Sequence, residues 1–308
     1  MNLQNNTHKL DDEINLSDLV RLLVSSKISI LTVTCLTLLI SLLYAFSLPD
    51  KYVSSILLVP ANDNTNSNLA SQYGGLASLA GVSLPEGSVN KSDIGIEVLK
   101  SKLFITGFLS RHNIIIPMMA SESWDKVTQE LEIDERLYDV KNKKWVRNVS
   151  APKKSKPSLY EAAEFWKKNI FSISKDNKKG LITIKIEHYS PFEAQRWAEL
   201  LFKDLNNHLR DIEVEEADLS IQYLNEEANK TESKELKQVF YSLIESQTKT
   251  KMLAFSRKDY SFKMIDPPIV PENKSSPNKF RIILQGAIIG IIFGLFFAYI
   301  RNRKFINT

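Results

Sequence analysis

The sequence predicts an α+β domain, a small mixed sheet plus a long helical hairpin, set between two transmembrane helices. Three observations carry this expectation. Ile28–Leu48 and Ile282–Ile300 are uncharged runs near opposite ends of the 308-residue chain, each close to the ~20 residues that span a bilayer's hydrocarbon core as a helix. Tyr52–Val59, Leu181–Glu187 and Tyr260–Ile265 are rich in β-branched and aromatic residues or alternate with period two, as half-buried strands do. Between the last two strands lies a long helical stretch with a heptad-like apolar period, followed by a second helix.

In chain order, residues 1–27 begin polar. Leu16, Leu19, Val20 and Leu23 then recur at helical spacing, predicting a short interfacial helix that leads into the first span, residues 28–48. That span lacks a short apolar core followed by a small-residue cleavage site, so it reads as a retained helix and not a signal peptide. Arg21 and Lys27 flank it on its outer side. Arg301, Arg303 and Lys304 close the second span, residues 282–300, leaving 301–308 as a tail. Basic flanks read as cytoplasmic, and long loops translocate largely regardless of charge. Both termini are therefore expected in the cytoplasm, with residues 49–281 as a periplasmic domain. Cys35, the single cysteine, lies within the first span, so this domain has no disulfide and needs an ordinary core. A bacterial periplasm fits better than a disulfide-stapled secreted module.

Within 49–281, residues 60–92 turn rich in Asn, Ser and Gly, and read as a long loop whose Leu69, Leu76, Leu79 and Leu84 a neighbour's surface could cover. Ser92 is the expected N-cap of one helix running to about Asn113, broken by Pro117. Residues 118–157 read as short helices and loops. Ser158 with Glu161 forms a capping box for a helix to Lys168. Phe171–Ser174 and Leu181–Glu187 flank Asp176–Gly180 as a hairpin. Ser190 and Pro191 then cap the longest helix, expected to reach about Ala228. Its expected seam is Leu205, Leu209, Ile212, Leu219 and Tyr223, with Glu216 at the skipped position. That seam should pack against the helix Lys234–Phe255, making a helical hairpin over about 191–255. A Pro-rich linker, 266–279, joins the last strand to the second span. In that span Gly286, Gly290, Gly294 and Ala298 recur every fourth residue, a small-residue ridge along which another membrane helix can approach closely.

Several functions are excluded or left without support. The chain carries a net +4, but residues 49–278 balance acid against base and show no basic footprint for nucleic acid. No phosphate-loop, dinucleotide or nucleophile-elbow motif is present. His8, His112, His188 and His208 are widely separated and lack metal-ligand spacing. Glu213, Glu215, Glu216 and Asp218 fit a solvated helix face better than a pair of catalytic carboxylates. Four N-x-[ST] sequons, at Asn5, Asn148, Asn229 and Asn273, have no expected acceptor role in a bacterial protein. The cytoplasmic parts are too short for a signalling domain. No catalytic, cofactor-binding or metal site is expected.

With these pieces in place, the chain resembles the Wzz family of lipopolysaccharide O-antigen chain-length determinants, polysaccharide co-polymerases. The residues that carry the likeness are Ile14–Leu19, Pro49-Asp50-Lys51-Tyr52, Leu76–Gly81, and Glu187-His188-Tyr189-Ser190-Pro191. Most specific is Pro268-x-x-Pro271 followed by Ser276-Pro277-x-Lys279, directly before the glycine-spaced span; Lys274 stands where a further proline is often found. The resemblance implies a non-catalytic inner-membrane protein. It would act as a homo-oligomeric ring, an octamer, with an O-antigen polymerase and lipid-linked O-antigen polysaccharide, and set the modal number of repeats. Alternatives sharing the architecture are a co-polymerase for export of capsule, exopolysaccharide or an enterobacterial-type common antigen, and a general periplasmic membrane scaffold. Gly286, Gly290, Gly294 and Ala298 are expected to pack membrane helices, and Pro268, Pro271 and Pro277 to shape the membrane approach. Leu76, Leu79, Leu205, Leu209, Ile212 and Leu219 are candidate subunit contacts.

Overall fold

The structure, a computed structural model, describes residues 27–61, 91–257 and 259–306, without the side chains of 91–92 and 302–306. The expected N-terminal interfacial helix and the loop bearing Leu76 and Leu79 lie outside the described residues. Two compact units divide the chain, Met1–Pro49 with Ser276–Thr308, and Asp50–Ser275.

The first unit is a pair of helices, α1 (Lys27–Ser47) and α8 (Lys279–Ile306). Both contain stretches long and apolar enough to cross a membrane.

The second unit is α+β. Its elements are β1 (Tyr52–Pro60), α2 (Lys91–Lys100), α3 (Lys102–Arg111), α4 (Ile115–Met119), β2 (Ser121–Trp124), β3 (Leu131–Ile133), β4 (Tyr138–Asp139) and β5 (Lys144–Trp145). These are followed by α5 (Leu159–Asn169), β6 (Phe171–Asp176), β7 (Leu181–His188), α6 (Pro191–Lys230), α7 (Lys234–Ser256) and β8 (Phe262–Asp266). The main sheet has the order β6-β7-β1-β8. Every pairing in it is antiparallel, where a mixed sheet was expected. Register places Ile56 opposite Ile184 and Leu58 opposite Ile182, so one face carries an isoleucine–leucine layer. Gly180, at φ +68°, closes the β6–β7 turn, and its N–H donates to Asp176 O at 2.7 Å.

The core lies on that face. Ile56, Leu58, Ile182, Ile184 and Ile186 meet Trp166 of α5, Trp197, Leu201 and Leu205 of α6, and Ile105, Phe108 and Leu109 of α3. Trp166 anchors the aromatic part, with Phe108 at 5.3 Å, Trp197 at 5.9 Å and Phe171 at 6.3 Å between ring centroids. Burial of so many large apolar side chains stabilises the unit through removal of apolar surface from water.

Local sequence explains the helix ends. Ser158, Ser190 and Ser233 each accept a hydrogen bond from the third residue onward, which supplies a partner for an otherwise orphaned amide. Glu161 also anchors Arg147, which is nearly buried and bonds it at 2.6 and 2.7 Å while donating to Ser155 O and Lys154 O. Hydrogen bonds from Arg147 hold the Glu161 carboxyl below the usual range, against the opposing effect of burial.

Three expectations need correction. Ser92 lies inside the first turn of α2, and the helix expected to run to Asn113 breaks at Ser101, whose side chain accepts from Phe104 N and starts α3. Pro117 sits within α4; the chain breaks earlier, at Asn113 with φ 54°. Residues 121–145 form two small antiparallel hairpins instead of short helices, pairing β2 with β3 and β4 with β5. Those strands are too short to show a readable alternation, and edge-to-face packing of Tyr138 on Trp145 at 5.3 Å is a non-local stabiliser.

Candidate functional site

The helix pair shows the closest backbone approach in the first unit. Gly286, Gly290, Gly294 and Ala298 form one ridge of α8, and the last three are buried although most of the helix is exposed. A Cβ at Gly294 would come within 3.1 Å of Ile30 Cα and 3.2 Å of Ile30 O. At Gly290 it would overlap Thr37 Oγ1 and lie 3.0 Å from Thr34 Cα, and at Gly286 it would overlap Ser41. Gly286 therefore faces the C-terminal half of α1 and Gly294 its beginning, so the helices run antiparallel. Ser41 Oγ donates to Ile282 O at 2.9 Å, Arg301 to Ser29 Oγ at 2.8 Å, and Lys279 lies 4.5 Å over the Phe46 ring. Sequence reading singled out the ridge but not its complement. Ile30, Thr34, Thr37 and Ser41 recur at spacings of 4, 3 and 4, and small hydroxyl residues inside an apolar run were the available signal.

In the second unit, the first and last residues are clipped together. Lys51 O accepts from Ser275 N at 2.8 Å and Ser275 Oγ at 3.0 Å. Asp50 receives Lys274 at 2.9 Å and Lys126 at 3.2 Å, so the lysine at the expected proline position supplies a charge to this clip. Burial pushes the Asp50 carboxyl up, but the hydrogen bonds from Lys274 and Lys126 outweigh it and leave it below the ordinary value. Ser54 Oγ donates to Ile269 O at 2.8 Å, which seats the proline segment against β1. Pro268 is buried, while Pro271 and Pro277 are half-buried. Pro267 and Pro268 follow the end of β8 directly, and with no N–H to donate they cannot continue its ladder.

The helical hairpin has a different seam from the one read in the sequence. Leu205 and Leu209 are sealed in the chain's own core, which leaves them no surface for another subunit. Ile212 and Leu219 are 37% and 62% exposed, and Tyr223 is likewise turned outward. The side facing α7 is instead Val214, Ala217, Ile221, Leu224 and Ala228, with Ala217 and Ala228 buried. Alanine is only weakly apolar, yet here its small side chain permits close helix approach. Asp218 and Lys251 cross-link the two helices at 2.6 and 2.8 Å. Glu215, Glu216 and Asp218 are exposed and Glu213 half-buried, as a solvated face requires.

Folding also assembles polar groups that are distant in sequence. Arg111 Nη1 lies 2.5 Å and His112 Nε2 3.0 Å from Asp204 Oδ2, whose side chain is 9% exposed. Buried Asn206 accepts from Ser261 N at 3.0 Å and Phe262 N at 2.9 Å, and donates to Phe262 O at 3.0 Å. It thus stands in for a neighbouring strand along the outer edge of β8. Asp204 and Asn206 interrupt the buried run Leu201–Leu209, a signal that sequence reading passed over. His188 is buried against Trp197 at 4.5 Å; its Nε2 faces Pro117 O at 3.0 Å and its Nδ1 accepts from Ser190 N at 3.2 Å. Burial lowers its pKa to about 4, so it is neutral at pH 7. Among the described residues no cluster of three or more His, Cys, Asp or Glu side chains is arranged to hold a metal ion.

Fold and sites define a class: an α+β body whose flanking segments are apolar helices able to pack closely on one another. Comparison with protein families adds that residues 12–112 match the model described as Wzz, chain length determinant protein. Comparison with curated protein sequences found no match. Among solved structures the chain is similar to a full-length bacterial polysaccharide co-polymerase, at 13% identity and TM-score 0.39, over 94% of this chain and 98% of that one. It is also similar to a fragment of WzzB, a polysaccharide co-polymerase from Salmonella Typhimurium, at 12% identity and TM-score 0.33, over 74% of this chain and all of that one.

Proposed function

We propose that this chain is a non-catalytic regulator of polysaccharide chain length that sets the modal length of O-antigen in lipopolysaccharide. The match of residues 12–112 to the chain length determinant family carries the reading. Two membrane-length helices near the ends of the chain support an inner-membrane protein with two spans, both termini in the cytoplasm and residues 50–275 in the periplasm. Its partners in this reading are further copies of itself in a ring, the O-antigen polymerase and lipid-linked O-antigen. The exposed Ile212, Leu219 and Tyr223 along α6 are the side chains in the reading that remain open to a neighbouring copy.

The test is deletion of the gene, with lipopolysaccharide viewed by gel. Loss of the modal band cluster, restored by the gene on a plasmid, is the expected outcome. An unchanged ladder overturns the proposal, and loss of capsule alone would move the chain to capsule export.

A further inference from the structure

A cavity, a glycine inside a helix and a set of mutually paired charges coincide in the groove between α3 and α6. The groove encloses about 490 Å³, within the range of small-molecule sites. Gly107 lines it from the interior of α3. Glycine at such a place costs about 1 kcal/mol relative to alanine. The usual structural reasons for it do not apply here. The residue keeps helical backbone, and a Cβ built on it meets nothing within 4 Å. The missing side chain leaves the groove open.

The polar groups across the groove set the chemistry it can take. Arg111, 62% exposed at its side chain, is matched by Asp204. Arg210 donates to Asp211 at 2.9 and 3.1 Å. Each guanidinium thus has its carboxylate, so among the described residues lining the groove no unpaired guanidinium is offered to a phosphate or a nucleotide. What remains is directional: spare guanidinium N–H groups, further carboxylate lone pairs and the exposed amide of Asn207. Alternating donors and acceptors suit hydroxyl groups, which do both. Leu103, 82% exposed, lines the same groove and presents an aliphatic surface to the C–H face of a ring. Beside it Phe104 packs on His208 with 5.5 Å between centroids.

We propose that this groove binds a neutral saccharide, with Gly107 keeping it open. The inference rests on reading the chain as a regulator of polysaccharide length, and it names a place on the protein where the glycan would be held.

The experiment uses the full chain in detergent micelles, titrated calorimetrically with delipidated surface polysaccharide from the producing cells. Binding is expected in the wild type. Gly107→Leu should weaken it at least about tenfold, the cost of roughly one or two lost hydrogen bonds. Its melting temperature should hold or rise, because leucine is the better helix former and its Cβ has free space. Gly107→Ala should bind nearly as the wild type does. Equal affinity of wild type and Gly107→Leu overturns the groove, as does absence of binding. Displacement of the polysaccharide by inorganic phosphate overturns it in favour of an anion site. Should Gly107→Leu melt lower, the double variant Asn207→Ala with Arg210→Gln replaces it, and unchanged affinity there overturns the proposal. The broader reading fails separately, by an unchanged ladder in the deletion strain, whatever the calorimetry gives.

Discussion

Two antiparallel helix pairs among the described residues are held together by opposite means. In α1 and α8 the contact is made of what is missing: glycines on one side, hydroxyl residues and an isoleucine on the other, with backbone close to backbone. The outward faces carry Ile291, Ile292, Phe293 and Phe296, each 47–62% exposed. In α6 and α7 the outward faces mix charged and polar residues with single exposed apolar ones, and the seam is a narrow apolar stripe tied by Asp218 and Lys251. The membrane setting proposed for α1 and α8, against an aqueous one for α6 and α7, accounts for the contrast. In water, removal of apolar surface drives helices together, so a thin stripe suffices. In lipid that drive vanishes, and close van der Waals packing must replace it.

The largest effect should come from filling the glycine ridge. Gly290→Leu places a side chain against Thr37 and Thr34, and should destabilise the α1–α8 pair by about 3 kcal/mol or more, as severe overpacking does. Ile291→Leu, one residue along and outward, should leave it unchanged. Thermal melting in detergent compares the two, and equal melting temperatures would show that the ridge does not hold the pair.

Next comes the root of the hairpin. Asn206→Ala leaves Ser261 N, Phe262 N and Phe262 O without their side-chain partner, and should cost about 2–3 kcal/mol in urea unfolding followed by tryptophan fluorescence. A cost below about 0.5 kcal/mol would mean that water replaces the amide there.

The start of α6, where His188 packs on Trp197, should respond to acid. His188 has a folded pKa of about 4 against an ordinary 6.5, so between these values the unfolded chain binds the proton that the folded chain refuses. Its contribution is fully present above pH 6.5 and is lost as pH falls toward 4, by about 3 kcal/mol over the window. Urea midpoints at pH 7 and pH 4.5 measure it, and His188→Gln should flatten that dependence. An equally steep dependence in the variant would assign it to other groups.

The smallest effect belongs to the hairpin's ion pair. Lys251→Gln should cost less than about 1 kcal/mol, because both partners are substantially exposed and screened. Adding 0.5 M salt should shrink even that difference; a larger loss would give the pair a role in holding α7 that the alanine seam does not need.

Much of this architecture was legible in the sequence where local signals are strong. The uncharged runs, the Ser190–Pro191 start of α6, the Ser158 cap and the Ile182–Ile184–Ile186 alternation all act within a few residues of one another. What escaped depends on partners far away. The β2–β5 hairpins are too short to carry a period. The phase of the α6 seam turned on Ala217 and Ala228, which only the position of α7 distinguishes from exposed alanines. Asp204 meets Arg111 across 93 positions and Asn206 meets Phe262 across 56, so no spacing rule could join them. The ridge of α8 was visible because glycines stand out. Its complement on α1 was hidden, since Thr and Ser look ordinary one at a time.

The clip between Lys51 and Ser275 also has a consequence for engineering. A unit whose start and finish already share hydrogen bonds can have them covalently joined by a short peptide, with little rearrangement. New ends could then be cut at an exposed turn such as Asn177–Lys179, giving a circularly permuted version of the body that needs no helix pair to hold its ends in register.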